Sequence, residues 1–392
     1  MNVQRDNLLL KQPQCLLLES AESIALHKIN SVFHYSLSIA KSEKEHLVLS
    51  PLHLDLQEAL KRESRCLRQI LPPLQGPYQV AYSNLVIERP EHSVLGDSKI
   101  GIEVFFPTST VSNEKTSLDP KSYPSGHMLS ENETLQTHSL KQNSAVALQE
   151  KLPLILFSHG LGCEPQDYRV LLEEIASHGY IILSLNHPSS SAYAPFAQKT
   201  FDPEELSAVE NLDQELEHLA TIQTQNINHV LQKMKQADFQ KTFPFIALDR
   251  PILLCGHSLG GSSSVMAAKT NADVTGCINL DGALRGEKAT EALQQPVLTL
   301  TSETPSDPSL NQTIKDWKIF HQNSPLSQKE KIDHTTHMDF ALTGAMLLWL
   351  VGEMLPSSAS DRIVGVDRAL KTHYIASQKI LEFVKPLTET KC

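Results

Sequence analysis

Between Leu154 and Leu300 the chain repeats one rhythm: a short, mostly apolar run, a turn, then a helical segment. The runs are Leu154-Ile155-Leu156-Phe157, Ile181 to Leu185, Pro251-Ile252-Leu253-Leu254-Cys255, Gly276-Cys277-Ile278-Asn279-Leu280 and Pro296-Val297-Leu298-Thr299-Leu300. A strand is apolar on both sides only when both of its faces are covered, as for a parallel strand between two helical layers. The series therefore predicts an α/β chain with a doubly wound, mostly parallel sheet. Upstream, Tyr78 to Ile87 and Lys99 to Phe106 are β-rich runs of the kind that pair antiparallel, so the N-terminal strands are expected to run against the rest.

The remaining segments differ in texture. Residues 1–70 read as a helical extension rich in Leu, Glu and Lys that connects to no chemistry, ahead of a main domain over 76–388. Within that domain, 108–150 is rich in Ser, Asn, Thr and Gln, carries Pro120 and Pro124, and reads as a polar surface insertion. A second insertion, 188–245, is helical. Leu206, Val209, Leu212, Leu216, Leu219 and Ile222, then Ile227, Val230, Leu231 and Met234, follow steps of three and four and predict one long helix. Its acidic opposite face points to packing against a core; covering the substrate is the sharper alternative. Phe340 to Leu355 is expected to be a buried helix, since it contains Glu353 and is short for a bilayer.

Charge and cysteine usage exclude several functions. A net charge of −11 leaves no basic excess for phosphate backbones, so nucleic acid is not an expected partner. The start of the chain lacks a secretory cleavage pattern and no membrane span is evident, which makes the cytoplasm the expected location. The 6 cysteines show no CxxC and no regular spacing, fitting a reducing compartment rather than a disulfide scaffold or a zinc site.

Gly256-His257-Ser258-Leu259-Gly260 follows an apolar run and precedes the small-residue segment Ser262 to Ala268, which can begin a helix. A nucleophile elbow needs this context: a strained strand-to-helix turn exposes the serine Oγ, and glycines on either side let backbone approach without a Cβ clash. A serine hydroxyl is a poor nucleophile at neutral pH, so an acid and then a histidine should follow it in the chain. Asp281, just past the strand ending at Leu280, is the candidate acid. Two histidines compete as base, His334 and His337; His337 stands nearer the next helix with Met338 and Phe340 to anchor its loop, and position together with the family resemblance given below favours it. His-x-x-His could suggest a metal, but no third ligand has suitable spacing, so neither metal nor other cofactor is expected. For a developing oxyanion the donors would be the N–H of Leu259, next to the nucleophile, and that of Leu161 in His159-Gly160-Leu161-Gly162. His159 precedes the nucleophile and reads as a packing residue.

These stretches together resemble the plasma-type platelet-activating factor acetylhydrolase family and its dienelactone-hydrolase-like bacterial esterases. The resemblance rests on Gly76-Pro77-Tyr78, Phe157 to Gly162, Ala176-Ser177-His178-Gly179-Tyr180, Asn186-His187-Pro188, Asp249-Arg250, Gly256-His257-Ser258 and Leu280-Asp281-Gly282, in that order. It implies an α/β-hydrolase fold, a triad of Ser258, Asp281 and His337, and oxyanion donors Leu161 and Leu259. It further implies calcium-independent, phospholipase-A-type hydrolysis of lipid esters with a short or oxidised acyl chain. Where lipoprotein-associated members of that family carry apolar, aromatic-rich helices, residues 108–150 here are polar with Tyr123 as the one aromatic, so weak or no membrane association is expected. A carboxylesterase acting on soluble esters or polyesters, and a hydrolase-fold binding protein without catalysis, are the competing readings.

Overall fold

The computed structural model describes residues 73–89, 97–109, 115–117, 136–141, 151–197, 199–286, 288–303, 311–341 and 366–389. The expected N-terminal helical extension and the apolar helix after Phe340 lie outside them.

Ten strands form one sheet: β1 Gln79–Glu88, β2 Lys99–Thr108, β3 Lys115–Ser117, β4 Gln136–Lys141, β5 Leu154–Ser158, β6 Ile181–Asn186, β7 Ile252–His257, β8 Val274–Leu280, β9 Val297–Thr301 and β10 Ser327–Lys331. Their order is β10-β9-β8-β7-β5-β6-β2-β1-β4-β3. From β6 through β10 every pairing is parallel, whereas β2 meets β6 and β1 meets β2 antiparallel. This is the doubly wound, mostly parallel sheet with antiparallel N-terminal strands that the apolar runs imply. Side chains alternate between its faces. Ile155, Phe157, Leu253, Cys255, Ile278 and Leu280 join one core, while Leu154, Leu156, Ile252, Leu254 and Cys277 join the other.

Helices cover both faces. On the first lie α1 Arg169–Ser177, through Leu171, Leu172 and Ile175, and α7 Val366–Thr388, through Ile380 and Val384. The end of α1 is set by Gly179 at φ +99°, whose N–H returns to Ala176 O at 3.0 Å; glycine alone takes that conformation without strain. On the second face lie α3 Leu212–Lys233, α5 Leu259–Thr270 and α6 Asn311–Asn323, which contribute Ile227, Val230 and Leu231, then Val265 and Ala268, then Trp317 and Phe320. The helical insertion also holds α2 Pro203–Ala208 and α4 Ala237–Thr242. Among the described residues no helix is long and apolar enough to cross a membrane.

Three features depart from the sequence expectations. The long helix from Leu206 to Met234 is broken into α2 and α3, because Asn211 in extended conformation caps α3 by accepting from Gln214 N at 3.1 Å. Part of the 108–150 stretch is not surface insertion but sheet. Strand β4 runs parallel to β1, with Leu140 fully buried, and its His138 and Ser139 amides donate to the Glu173 carboxylate of α1 at 3.1 and 3.3 Å. The last strand, β10, is the polar Ser-Gln-Lys-Glu-Lys; among the described residues it is an edge strand, paired with β9, and needs no apolar run.

Candidate active site

The site lies at the carboxyl ends of the central parallel strands. Ser258 sits between β7 and α5 at φ 55°, ψ −119°, a combination that costs an L-residue energy and persists only where its surroundings dictate it. Two glycines make the turn possible. A Cβ on Gly256 would collide with the Gly260 carbonyl, and one on Gly260 with the Ser158 carbonyl. Both obstacles are backbone, which cannot rotate away. Gly260→Ala is therefore expected to destabilise the protein by about 3 kcal/mol, seen as a fall in Tm of about 4 °C by circular dichroism.

Asp281 follows β8 at φ 54°, in the left-handed region that Asp tolerates better than most residues. His337 opens the short turn His337–Phe340 beyond β10. The structure brings these three together: Ser258 Oγ lies 2.9 Å from His337 Nε2, and His337 Nδ1 lies 2.9 Å from Asp281 Oδ2. A carboxylate accepts, so Nδ1 carries the hydrogen and the Nε2 lone pair faces the serine hydroxyl. Burial alone would raise the Asp281 carboxyl, but the hydrogen bonds from His337 and Ser302 outweigh it and hold the group below the ordinary carboxylate range.

The spacing of these loops is a backbone property. Ser258 N–H donates to Leu280 O at 2.9 Å, Asp281 N–H to Leu300 O at 2.7 Å, and Ile332 N–H to Thr301 O at 2.9 Å, each reaching the neighbouring strand. The His337 turn is held in turn by a capping box between Thr336 and Asp339 and by the buried Met338 and Phe340, whose carbonyl accepts from His373 Nε2 at 2.9 Å. Of the two competing histidines, His334 is not brought to Ser258: its side chain is 89 % exposed. Nor does the His-x-x-His pair converge, because both ring nitrogens of His337 face Ser258 and Asp281. Among the described residues no group of His, Cys, Asp or Glu is arranged to hold a metal ion.

The loop after β5 also reaches the serine. A Cβ on Gly160 would stand 3.2 Å from Ser258 Cβ, so this turn passes close behind the nucleophile position. His159 is a structural clamp, as expected of a packing residue. Its Nδ1 donates to Gly160 O at 2.7 Å, its Nε2 accepts from His187 N at 3.0 Å, and burial pushes it down to about 4, so it stays neutral. The side chains of Leu161 and Leu259 lie together in one apolar cluster with Leu216, Leu219, Ala220 and Ile222 of α3. The second half of α3 packs on the sheet, as its apolar stripe implies, and its first half packs against the two leucines. Gln223, on the same helix, donates to His159 O at 3.2 Å and Ser190 Oγ at 2.7 Å.

Sequence reasoning missed Ser302. Its N–H donates to Asp281 Oδ1 at 3.0 Å and its hydroxyl to Oδ2 at 2.6 Å, which fixes the carboxylate from the far side. The signal available was position, one residue past the end of β9 at Thr301. Missed too was His257, whose Nε2 lies 2.9 Å from the His337 carbonyl.

Comparison with known proteins agrees with this architecture. The family described as platelet-activating factor acetylhydrolase, isoform II, matches residues 67–362. The chain is 26 % identical to a platelet-activating factor acetylhydrolase of Cavia porcellus over 278 residues, 62 % of this chain and 60 % of that protein. To the protein of the same name from Canis lupus familiaris it is 26 % identical over 226 residues, 51 % and 50 % of the respective chains. The chain therefore spans half to three fifths of the length of these curated relatives. Among solved structures, a ferulic acid esterase from Streptomyces cinnamoneus superimposes with a TM-score of 0.64, 19 % identity, and coverage of 82 % of this chain and 94 % of that one, which shows a shared fold.

Proposed function

Since the chain belongs to the platelet-activating factor acetylhydrolase, isoform II, family, we propose that it is a serine ester hydrolase with Ser258 as nucleophile, His337 as base and Asp281 as its orienting acid. The observation that carries this reading is the unbroken line from Ser258 Oγ through His337 to Asp281, with both links at 2.9 Å. Ser258 Oγ attacks the ester carbonyl and passes its proton to His337 Nε2, while Asp281 stabilises the imidazolium. The tetrahedral oxyanion accepts from the N–H groups of Leu161 and Leu259. On collapse the alkoxide leaves with the proton from Nε2, giving an acyl-enzyme. Water then attacks the acyl-enzyme, its proton going to Nε2, and on collapse Nε2 returns that proton to Ser258 Oγ as the acid product departs. A fluorophosphonate probe tests the nucleophile: labelling that Ser258→Ala abolishes supports it, and labelling that survives the change refutes it.

The substrate class we propose is a lipid ester with a short or oxidised acyl chain, by analogy with the family. The apolar cluster of Leu161, Leu259 and the first half of α3 supports it, since it puts hydrocarbon against the two oxyanion residues. Chelators are expected to leave the rate unchanged, because backbone N–H groups meet the transition-state charge. In a panel of phospholipids and simple esters, short-acyl phospholipid should be turned over faster than its long-chain counterpart packed in bilayers. With a net charge of −11, little binding to anionic vesicles is expected in flotation. Equal rates on soluble esters lacking a phosphate headgroup would favour a general carboxylesterase.

A further inference from the structure

A second polar chain runs beneath the serine. Gly160 N–H donates to Tyr168 Oη at 3.0 Å, Tyr168 Oη lies 2.8 Å from His257 Nδ1, and His257 Nε2 lies 2.9 Å from the carbonyl of His337. Tyr168 and His257 are buried. The directions of the two outer links are fixed by elementary donor counting. An amide N–H only donates, so the phenol oxygen accepts from Gly160. A carbonyl only accepts, so His257 Nε2 carries a hydrogen. Burial, and next the neighbouring His337, hold His257 well below its ordinary value, so the ring is neutral and Nδ1 is a lone pair. The phenol hydrogen therefore points to Nδ1, and burial keeps it there by raising the Tyr168 hydroxyl well above its usual range. The Cys163 thiol is a further neighbour of that oxygen.

The two ends of this chain are parts of the proposed machinery. Gly160 immediately precedes Leu161, and the final acceptor is the backbone of His337. The His257 and His337 rings also lie against each other with centroids 4.7 Å apart. We propose that Tyr168 and His257 are positioning residues that tie the oxyanion turn to the loop bearing the base, so that donors and base keep one mutual spacing around Ser258. The role rests on the triad reading above. A neutral imidazole suits it: it donates to His337 without adding a second positive charge beside the imidazolium that forms during turnover. Misplacement of either loop by a fraction of an ångström lowers the chemical step while leaving ground-state binding largely alone.

The test uses the full chain and p-nitrophenyl acetate. Tyr168→Phe keeps the ring and removes one hydroxyl, and is expected to lower kcat on the order of 10- to 100-fold with KM within about twofold. His257→Leu is expected to do the same, and the double variant to fall no further than the weaker single, because both break one chain. Wild-type kcat in Tyr168→Phe, a change confined to KM, or fold losses that multiply in the double variant would each overturn the role. Should His257→Leu not fold, Tyr168→Phe decides alone. Ser258→Ala serves as the control: if it retains wild-type turnover the triad reading falls and this role with it. If it is inactive while Tyr168→Phe is unaffected, only the positioning role falls.

Discussion

Ser258→Ala is expected to fold normally and to lose on the order of 10⁶ in kcat against any ester the wild-type protein hydrolyses. The change removes the only atom able to form an acyl-enzyme at the elbow. It leaves the strained backbone at φ 55° as it was, because alanine and serine share the same Cβ constraint. The amides of Leu161 and Leu259 and the His337–Asp281 pair stay in place, so a small residual rate over water remains from charge stabilisation alone. Circular dichroism establishes the fold, and stopped or continuous ester assays establish the rate. Retention of a tenth of wild-type kcat would remove Ser258 from the mechanism.

Asp281→Asn is expected to cost about 10⁴ in kcat, and the structure explains why so similar a residue does so much damage. The Ser302 N–H lies 3.0 Å from Oδ1, so the carbonyl oxygen of the new amide must occupy that place. Its NH2 is then left at the position of Oδ2, facing His337 Nδ1 at 2.9 Å in the parent. A donor there pushes the imidazole into the tautomer with hydrogen on Nε2, which cannot take the serine proton. His337→Ala should be as damaging as loss of the serine. His334→Ala should stay within about twofold of wild type, since that side chain is 89 % exposed and its partner Glu303 receives the backbone N–H, which the change keeps. A ranking in which His334 matters more than His337 would reassign the base.

What could be read in the sequence follows from the physics of each feature. The elbow is legible because its backbone requires glycine at fixed offsets from the serine, and Gly256 and Gly260 meet carbonyls that no side chain could pass. Asp281 is legible because the strand before it is a mostly apolar run whose end, Leu280, can be counted. His337 and His334 were harder to separate, since only folding puts one ring at Asp281 and the other in solvent. Strands β4 and β10 were illegible because their pairing is made by main-chain atoms, on sequences with scarcely an apolar side chain between them. Tyr168 and Ser302 were illegible for another reason. Each acts through hydrogen bonds to residues 89 and 21 positions away, and a tyrosine or serine in the sequence carries no mark of such a partner. The break before α3 was hidden by a periodicity that continued across it, and Asn211 was its one local sign.

The amide of Ser258, of Asp281 and of Ile332 each finds its acceptor on the adjacent strand, at 2.9, 2.7 and 2.9 Å. Neighbouring strands stand about 4.8 Å apart whatever residues compose them. The spacing of Ser258, Asp281 and the strand leading to His337 is therefore tied to the spacing of the strands, through peptide groups that every residue but proline carries. A change among the aliphatic residues of the sheet that keeps these main-chain bonds is therefore expected to show in thermal stability before it shows in the spacing of the three proposed reacting groups.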